Sequence, residues 1–215
     1  MRESDKILVQ CDFDGTITIE DASFTILDAY IPEKWRSLFD EYQKGEMTVG
    51  EFNSTVFAMV KADEEILLKL IREKVSVREG FAEFVEYCRL KDYRFVIVSN
   101  GLDFYIEDIL GRIGFGDVEV HASNTVFSEN GLTVRHKGPD ENYLDEDVKA
   151  TFTEYYLAQG YKVIYLGDGR SDILPASKSH YVFATGSMIE YCSSEKFSCI
   201  PFTDFHQVIK DMESW

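Results

Sequence analysis

The sequence predicts an α/β fold, a Rossmann-like parallel sheet core carrying an inserted helical subdomain. Three observations lead there. Short β-branched apolar runs recur along the chain with helical periodicity between them, the alternation that builds a parallel sheet covered on both faces. About 60 residues of helical pattern separate the first run from the second. The chain has 215 residues, 45% of them hydrophobic, enough for a core domain and a smaller insertion.

The first strand is read at residues 7–9, inside ILVQCDFDGTIT (7–18). The second is RFVIVS (94–99), the third KVIYLG (162–167), and a weaker fourth is YVFA (181–184). Each is a short continuous apolar run bounded by glycine or polar residues, as strands buried on both faces are. GFAEFVEYCRLK (80–91) puts Phe81, Phe84, Val85 and Cys88 on one helical face. DEDVKATFTEYYLAQG (145–160) starts acidic and stops at Gly160, as helix ends prefer. The stretch ASNTVFSENGLTVRH (122–136) alternates around Glu129, Asn130 and Gly131 and reads as a β-hairpin. PDENYLDED (139–147) reads as a solvated loop and helix start.

The insertion reads as four helices. They are DASFTILDAY, PEKWRSLFDEYQKG with Pro32 at its start, TVGEFNSTVFAMV, and DEEILLKLIREKV behind Asp63 as cap. Thr48 with Glu51 three residues on has the capping-box spacing. The expected division is a core of residues 1–19 and 78–215 with a helical subdomain of residues 20–77.

A formal net charge of −17 argues against nucleic acid or anionic membrane as partners. No apolar stretch is long enough to span a bilayer. The four cysteines form no CxxC, and MRESDK at the start lacks the apolar core of a signal peptide, so the expectation is a cytoplasmic protein with reduced thiols. His121, His136, His180 and His206 have no zinc-site spacing and read as surface or loop residues. The sequence leaves oligomeric state open.

The chemistry gathers at strand ends, where open α/β sheets bind ligands. Asp12 and Asp14 follow the first strand and fall on one side if the strand conformation persists; Gly15 then allows a sharp turn. Two carboxylates side by side at the end of a buried strand are expensive unless a cation or a reaction uses them. The second strand ends in Ser99, Asn100 and Gly101. The third ends in GDGRSD, with Asp168 and Asp172, and Lys149 lies in the helix before it. Taken singly, Asp14 and the Asp168–Gly169 pair are also ordinary turn chemistry, Ser99 an ordinary strand-end hydroxyl and Lys149 an ordinary solvated helix residue.

Together, DFDGT (12–16), SNG (99–101), Lys149 and GDGRSD (167–172) stand in the order and strand context of the haloacid dehalogenase superfamily, which they resemble across nearly the whole chain. The resemblance implies a phosphatase acting on a small-molecule phosphomonoester. It makes Asp12 a nucleophile that forms an aspartyl-phosphate and Asp14 the general acid and base. It puts Mg²⁺ on Asp12, the Asp14 carbonyl and Asp168, with Asp172 on a metal-bound water or behind the ligands. Ser99, Asn100 and Gly101 would hold phosphoryl oxygens and Lys149 would neutralise charge.

The position of the insertion resembles the helical cap of the phosphoserine phosphatase subgroup. Two branches fit. VREGFAEFVEYC, VSNGLDFYI and IPFTDFHQVIKDME look closer to methionine-salvage phosphatases, which act on 2-hydroxy-3-keto-5-methylthiopentenyl 1-phosphate, although that branch usually has SGG where this chain has SNG. Asp21 stands where phosphoserine phosphatases place a glutamate for the substrate ammonium, but GEFNSTVFAMVK lacks their carboxylate-binding arginine. Phe24, Phe52, Phe57 and Met59 are either a surface for an apolar tail or the cap's own core. Phosphotransfer to another alcohol and a non-catalytic ligand-binding or regulatory domain on this fold are the alternatives in kind.

Overall fold

The computed structural model describes residues 6–195 and 197–215, so MRESDK lies, except for Lys6, outside the described residues. The strands are β1 (Ile7–Cys11), β2 (Arg94–Leu102), β3 (Glu119–Val126), β4 (Thr133–Lys137), β5 (Tyr143–Leu144), β6 (Lys162–Gly167), β7 (Tyr181–Ala184) and β8 (Ile200–Pro201). They form one sheet in the order β5-β4-β3-β2-β1-β6-β7-β8. β1 is central and pairs in parallel with β2 and β6, while β4 and β5 extend one edge antiparallel. The three strands whose ends carry the candidate residues are therefore immediate neighbours.

All five residues of β1 are buried, which is why it reads as a continuous apolar run. Ile7, Val9 and Cys11 join the larger core on one face, and Leu8 packs on the other against Val148, Phe152 and Tyr156 of α7 (Val148–Ala158). Each large apolar side chain so buried contributes about 1.5–3 kcal/mol. Gln10 is the polar exception. Its amide donates to the Lys149 carbonyl (2.8 Å) and its oxygen accepts from Thr153 Oγ1 (2.9 Å), so it clamps α7 to the sheet at the residue that matters for the site.

Between β1 and β2 lie α1 (Ala22–Tyr30), α2 (Pro32–Lys44), α3 (Val49–Phe57), α4 (Glu64–Lys74) and α5 (Phe81–Leu90). The first four are the helices expected of the insertion, and Thr48 and Glu51 make both bonds of a capping box. Asp63 sits at the N-cap of α4 without a side-chain capping bond. The chain enters and leaves this segment through a two-stranded neck. Thr18 bridges Val77, the Ile19 N–H donates to the Ser76 carbonyl (2.9 Å), and the Arg78 N–H donates to the Ile17 carbonyl (2.7 Å).

Two sequence expectations need correction. β2 does not stop at Ser99 but runs on to Leu102 and into α6 (Asp103–Arg112), with its pairing to β3 broken between Val98 and Leu102. The acidic stretch 139–147 contains β5, whose two residues pair with β4 although no apolar run marks them. The hairpin stands, as β3 and β4. The described cysteines are all free thiols, and no described helix is long and apolar enough to cross a membrane.

Candidate active site

The strand conformation ends at Cys11, but the Asp12 N–H still donates to the Leu166 carbonyl (3.0 Å), so Asp12 is held at the edge of the sheet. The chain then folds back on itself: the amides of Thr16, Ile17 and Thr18 all converge on the Phe13 carbonyl. Asp12 and Asp14 thus share one wall through a turn, not through strand alternation. Gly15 makes that turn at φ +75°, and a Cβ there would lie 2.5 Å from Asp168 Oδ2, so a side chain is excluded on two counts. Arg78 ties the turn from outside, donating to the carbonyls of Gly15 (2.6 Å) and Thr16 (2.7 Å).

Asp12 is 4% exposed and Lys149 is 3% exposed. Lys149 Nζ lies 2.8 Å from Asp12 Oδ1 and 2.6 Å from Asp172 Oδ1, and donates to Ser171 Oγ (3.1 Å). Burial alone would lower the Lys149 pKa; Asp12 and Asp172 more than offset it and hold the ammonium charged. Burial pushes Asp12 up to about 6 against the pull of Lys149. Burial, then the neighbouring Asp12 and Asp172, raises Asp168 well above the usual carboxylate range. The carboxylates outnumber the ammonium, so this dry corner carries negative charge that the protein's own cation leaves uncompensated.

Asp172 differs from its neighbours. Its Oδ1 accepts from Lys149 Nζ and from the Tyr165 hydroxyl (2.6 Å). Its Oδ2 accepts from the amides of Asp168 (3.0 Å) and Gly169 (2.9 Å). A Cβ on Gly167 would lie 2.5 Å from the Asp172 carboxyl carbon, so Gly167 is what admits this carboxylate behind the loop.

Asp14 is pushed up to about 7 by burial, against hydrogen bonds that favour its carboxylate. Those bonds come from the Tyr105 hydroxyl to Oδ2 (2.5 Å) and from the Ala22 amide to Oδ1 (3.0 Å). Tyr105, on α6, is completely buried, and its oxygen also meets Ser23 Oγ at 2.9 Å. Asp21 caps α1 by accepting from the Phe24 amide (2.7 Å), and burial followed by the Asp14 charge raises it as well.

Where β2 leaves its register with β3, side chains take over the backbone. Ser99 Oγ accepts the Gly101 amide (3.0 Å), and the Ser99 carbonyl meets His136 Nε2 (2.8 Å). The Asn100 carbonyl accepts from Asn53 Nδ2 on α3 (2.8 Å) and from Ser123 Oγ on β3 (3.2 Å). Gly101 is obligatory, since a side chain there would collide with Asp14 Oδ2 and the Tyr105 hydroxyl.

These groups line a cavity of about 200 Å³ between α1 to α3 and the sheet edge. Asp12, Asp14, Asp21, Ser99, Asn100, Gly101, Lys149 and Asp168 all face it; Asp172 does not, lying beneath the floor. Phe24, Phe39, Tyr42 and Phe52 form the far wall, joined by ring contacts of 5.0 to 5.8 Å. Of the four apolar candidates, Phe24 and Phe52 reach the cavity and Phe57 is fully buried core. The reading of every histidine as a surface or loop residue fails at His136. It is 7% exposed on β4, edge-on to Phe152, because antiparallel pairing turns it inward against the β2 irregularity. Tyr105, Asn53, His136 and Arg78 are not among the site residues the sequence points to, although Arg78 lies in VREGFAEFVEYC, Tyr105 in VSNGLDFYI and Asn53 in GEFNSTVFAMVK; each acts on the site from another element.

The family model described as haloacid dehalogenase-like hydrolase matches residues 9–176. The chain belongs to that family. This hydrolase is 27% identical over 98% of its length to the 2-hydroxy-3-keto-5-methylthiopentenyl-1-phosphate phosphatase of Brevibacillus brevis, covering 96% of that protein. It is 28% identical to the enzyme of the same name from an Exiguobacterium species, covering 93% of this chain and 94% of the other. Family and relatives together make it a phosphatase. Its fold is that of a phosphoserine phosphatase solved as a phospho-aspartyl intermediate analogue, with a TM-score of 0.75 at 20% identity, covering 96% of this chain and 99% of that one.

Proposed function

We propose that this phosphatase hydrolyses a small phosphomonoester in two steps through Asp12, with residues 20–77 acting as a cap over a core of residues 1–19 and 78–215. The observation that carries the reading is the pair of unlike carboxyls on one wall: Asp12 held by Lys149, and Asp14 held by Tyr105 with its pKa pushed up to about 7. A carboxylate beside an ammonium is a nucleophile; a carboxyl kept protonated near neutrality is an acid. Asp12 attacks phosphorus, the ester P–O bond breaks, and Asp14 gives its proton to the leaving alcohol. Asp14, now a carboxylate, takes a proton from water as that water attacks the aspartyl-phosphate. Asp12 is regenerated and phosphate leaves. Lys149 and the amides around Ser99, Asn100 and Gly101 meet the charge on the phosphoryl oxygens.

The donor set fits a hard divalent cation. Oxygens of Asp12, Asp168 and Asp172 come within 4.8 Å of one another, and burial raises the Asp12 and Asp168 pKa values, as expected of buried negative charge lacking a counter-ion. Asp12, Asp168 and the Asp14 carbonyl would hold Mg²⁺, which supplies charge neutralisation at the phosphoryl group. Both oxygens of Asp172 are already engaged by four donors, so it serves the cation by orienting Asp168 and Lys149.

The aromatic wall and the relatives' names favour 2-hydroxy-3-keto-5-methylthiopentenyl 1-phosphate as substrate. Phosphoserine is the competing ester, because an acidic and a basic side chain, Asp21 and Arg170, also line the cavity. The test is phosphate release with Mg²⁺ from both esters and a panel of sugar phosphates, alongside Asp12→Asn. Turnover should fall by several orders of magnitude in the variant, with the fold retained. Near-normal release by Asp12→Asn would remove Asp12 as nucleophile, and the preferred ester decides the substrate.

A further inference from the structure

The helix α3 is fastened to the hairpin side of the core at both ends. At its start the Gly50 amide donates to the Asp145 carbonyl (2.9 Å). A Cβ on Gly50 would lie 2.7 Å from that carbonyl oxygen, so only glycine allows the approach. At its end the Phe57 carbonyl accepts from the Leu132 amide (3.1 Å), in the loop between β3 and β4. Midway between these fastenings, one turn in from Gly50, Asn53 points down and donates to the Asn100 carbonyl at 2.8 Å.

That carbonyl belongs to the segment where β2 and β3 lose register, so its orientation is set by the side chains of Asn53 and Ser123. The next carbonyl back, Ser99, is held by His136 from the core. Two of these three anchors come from the core. The third comes from the helical insertion.

We infer that Asn53 is a positioning residue by which closure of the cap completes the phosphate cradle: seating α3 on the hairpin brings its amide onto the Asn100 carbonyl and fixes the Ser99–Gly101 backbone. This rests on the reading of that backbone as phosphate-binding. It separates Asn53 from a residue that touches the leaving alcohol, although Asn53 also lines the cavity. A leaving-group contact matters only when the alcohol is there. A cradle anchor matters equally for inorganic phosphate, which has no alcohol part.

The experiment measures inhibition by inorganic phosphate, with Mg²⁺, for the whole enzyme and for Asn53→Ala, together with kcat and KM for a small and a bulky ester. The expected result is a phosphate inhibition constant weakened roughly threefold to tenfold, the size of one lost neutral hydrogen bond, with kcat lowered for both esters and a melting temperature lowered by only a few degrees. Ser123→Ala, which removes a second bond to the same carbonyl from the core side, should weaken phosphate inhibition in the same direction, and it decides the matter if Asn53→Ala does not fold. Unchanged phosphate inhibition in these variants, with KM altered for one ester only, overturns the inference and makes Asn53 a leaving-group contact. Wild-type enzyme that phosphate does not inhibit at all would instead count against the phosphate-binding reading on which it stands.

Discussion

Tyr105→Phe removes one oxygen and leaves the ring in place. That oxygen, on a completely buried ring, donates at 2.5 Å to Asp14 Oδ2 on the cavity wall. Asp14 stands at about 7 because burial outweighs the bonds that favour its carboxylate, of which Tyr105 is the largest. A hydrogen bond to a charged group is worth about 1.5–3 kcal/mol, and about 1.4 kcal/mol corresponds to one pH unit. Losing it should raise the Asp14 pKa by roughly one to two units. The protonated form is the one that assists departure of the alcohol, so the basic limb of kcat/KM should move to higher pH by that amount. At neutral pH the same change leaves less carboxylate to activate water, so kcat should fall. The assay is a pH profile of kcat/KM and kcat at saturating Mg²⁺ for wild type and variant. A basic limb that stays in place, or moves down, would refute the role assigned to the Tyr105–Asp14 bond.

Stability should depend on pH in the direction set by raised carboxyls. Asp12 and Asp14 keep protons in the folded protein up to about 6 and about 7, while the unfolded chain releases them near 4, so without divalent cation stability falls as pH rises through that window. Melting in chelator should therefore be higher at pH 5 than at pH 8, and Mg²⁺ should raise it far more at pH 8; the opposite order would show that these carboxyls are not buried as described. Lys149→Ala leaves Asp12 and Asp172 buried without their shared ammonium, and denaturant unfolding should show a loss of about 3–5 kcal/mol. Gly15→Ala forces a left-handed residue at a cost of about 1–2 kcal/mol and drives a methyl group into Asp168. Isothermal titration should show Mg²⁺ binding weakened well beyond that modest loss of stability.

What could be read from the sequence is what local chemistry encodes. β1 is legible because all five of its residues are buried, and Asp12, Asp14 and Asp168 because each sits in a motif of fixed local spacing, whereas Lys149 is a candidate only by its place in the family resemblance. Thr48 and Glu51 gave their helix start by the same local rule. The residues that tune the site are set by distance in the chain instead. Tyr105 reaches Asp14 across 91 positions, Asn53 reaches Asn100 across 47, and His136 reaches Ser99 across 37. No periodicity or spacing links such partners; only the tertiary fold brings them together. β5 was missed for a related reason, since two residues pairing on a sheet edge leave no alternation to detect.

The central place of β1 has a consequence for how the molecule is made. Its two neighbours begin at Arg94 and Lys162, so the strand that leads into Asp12 has no complete set of partners until most of the chain has left the ribosome. The helices α1 to α4, contiguous in sequence, emerge next and can order among themselves first. In the meantime β1 is an uncovered hydrophobic segment in the part of the chain that has already emerged. Nascent chains with β6 still inside the ribosome and chains with β6 emerged should therefore separate a protease-sensitive, chaperone-bound species from a resistant one, and catalytic competence should arise late and abruptly during synthesis.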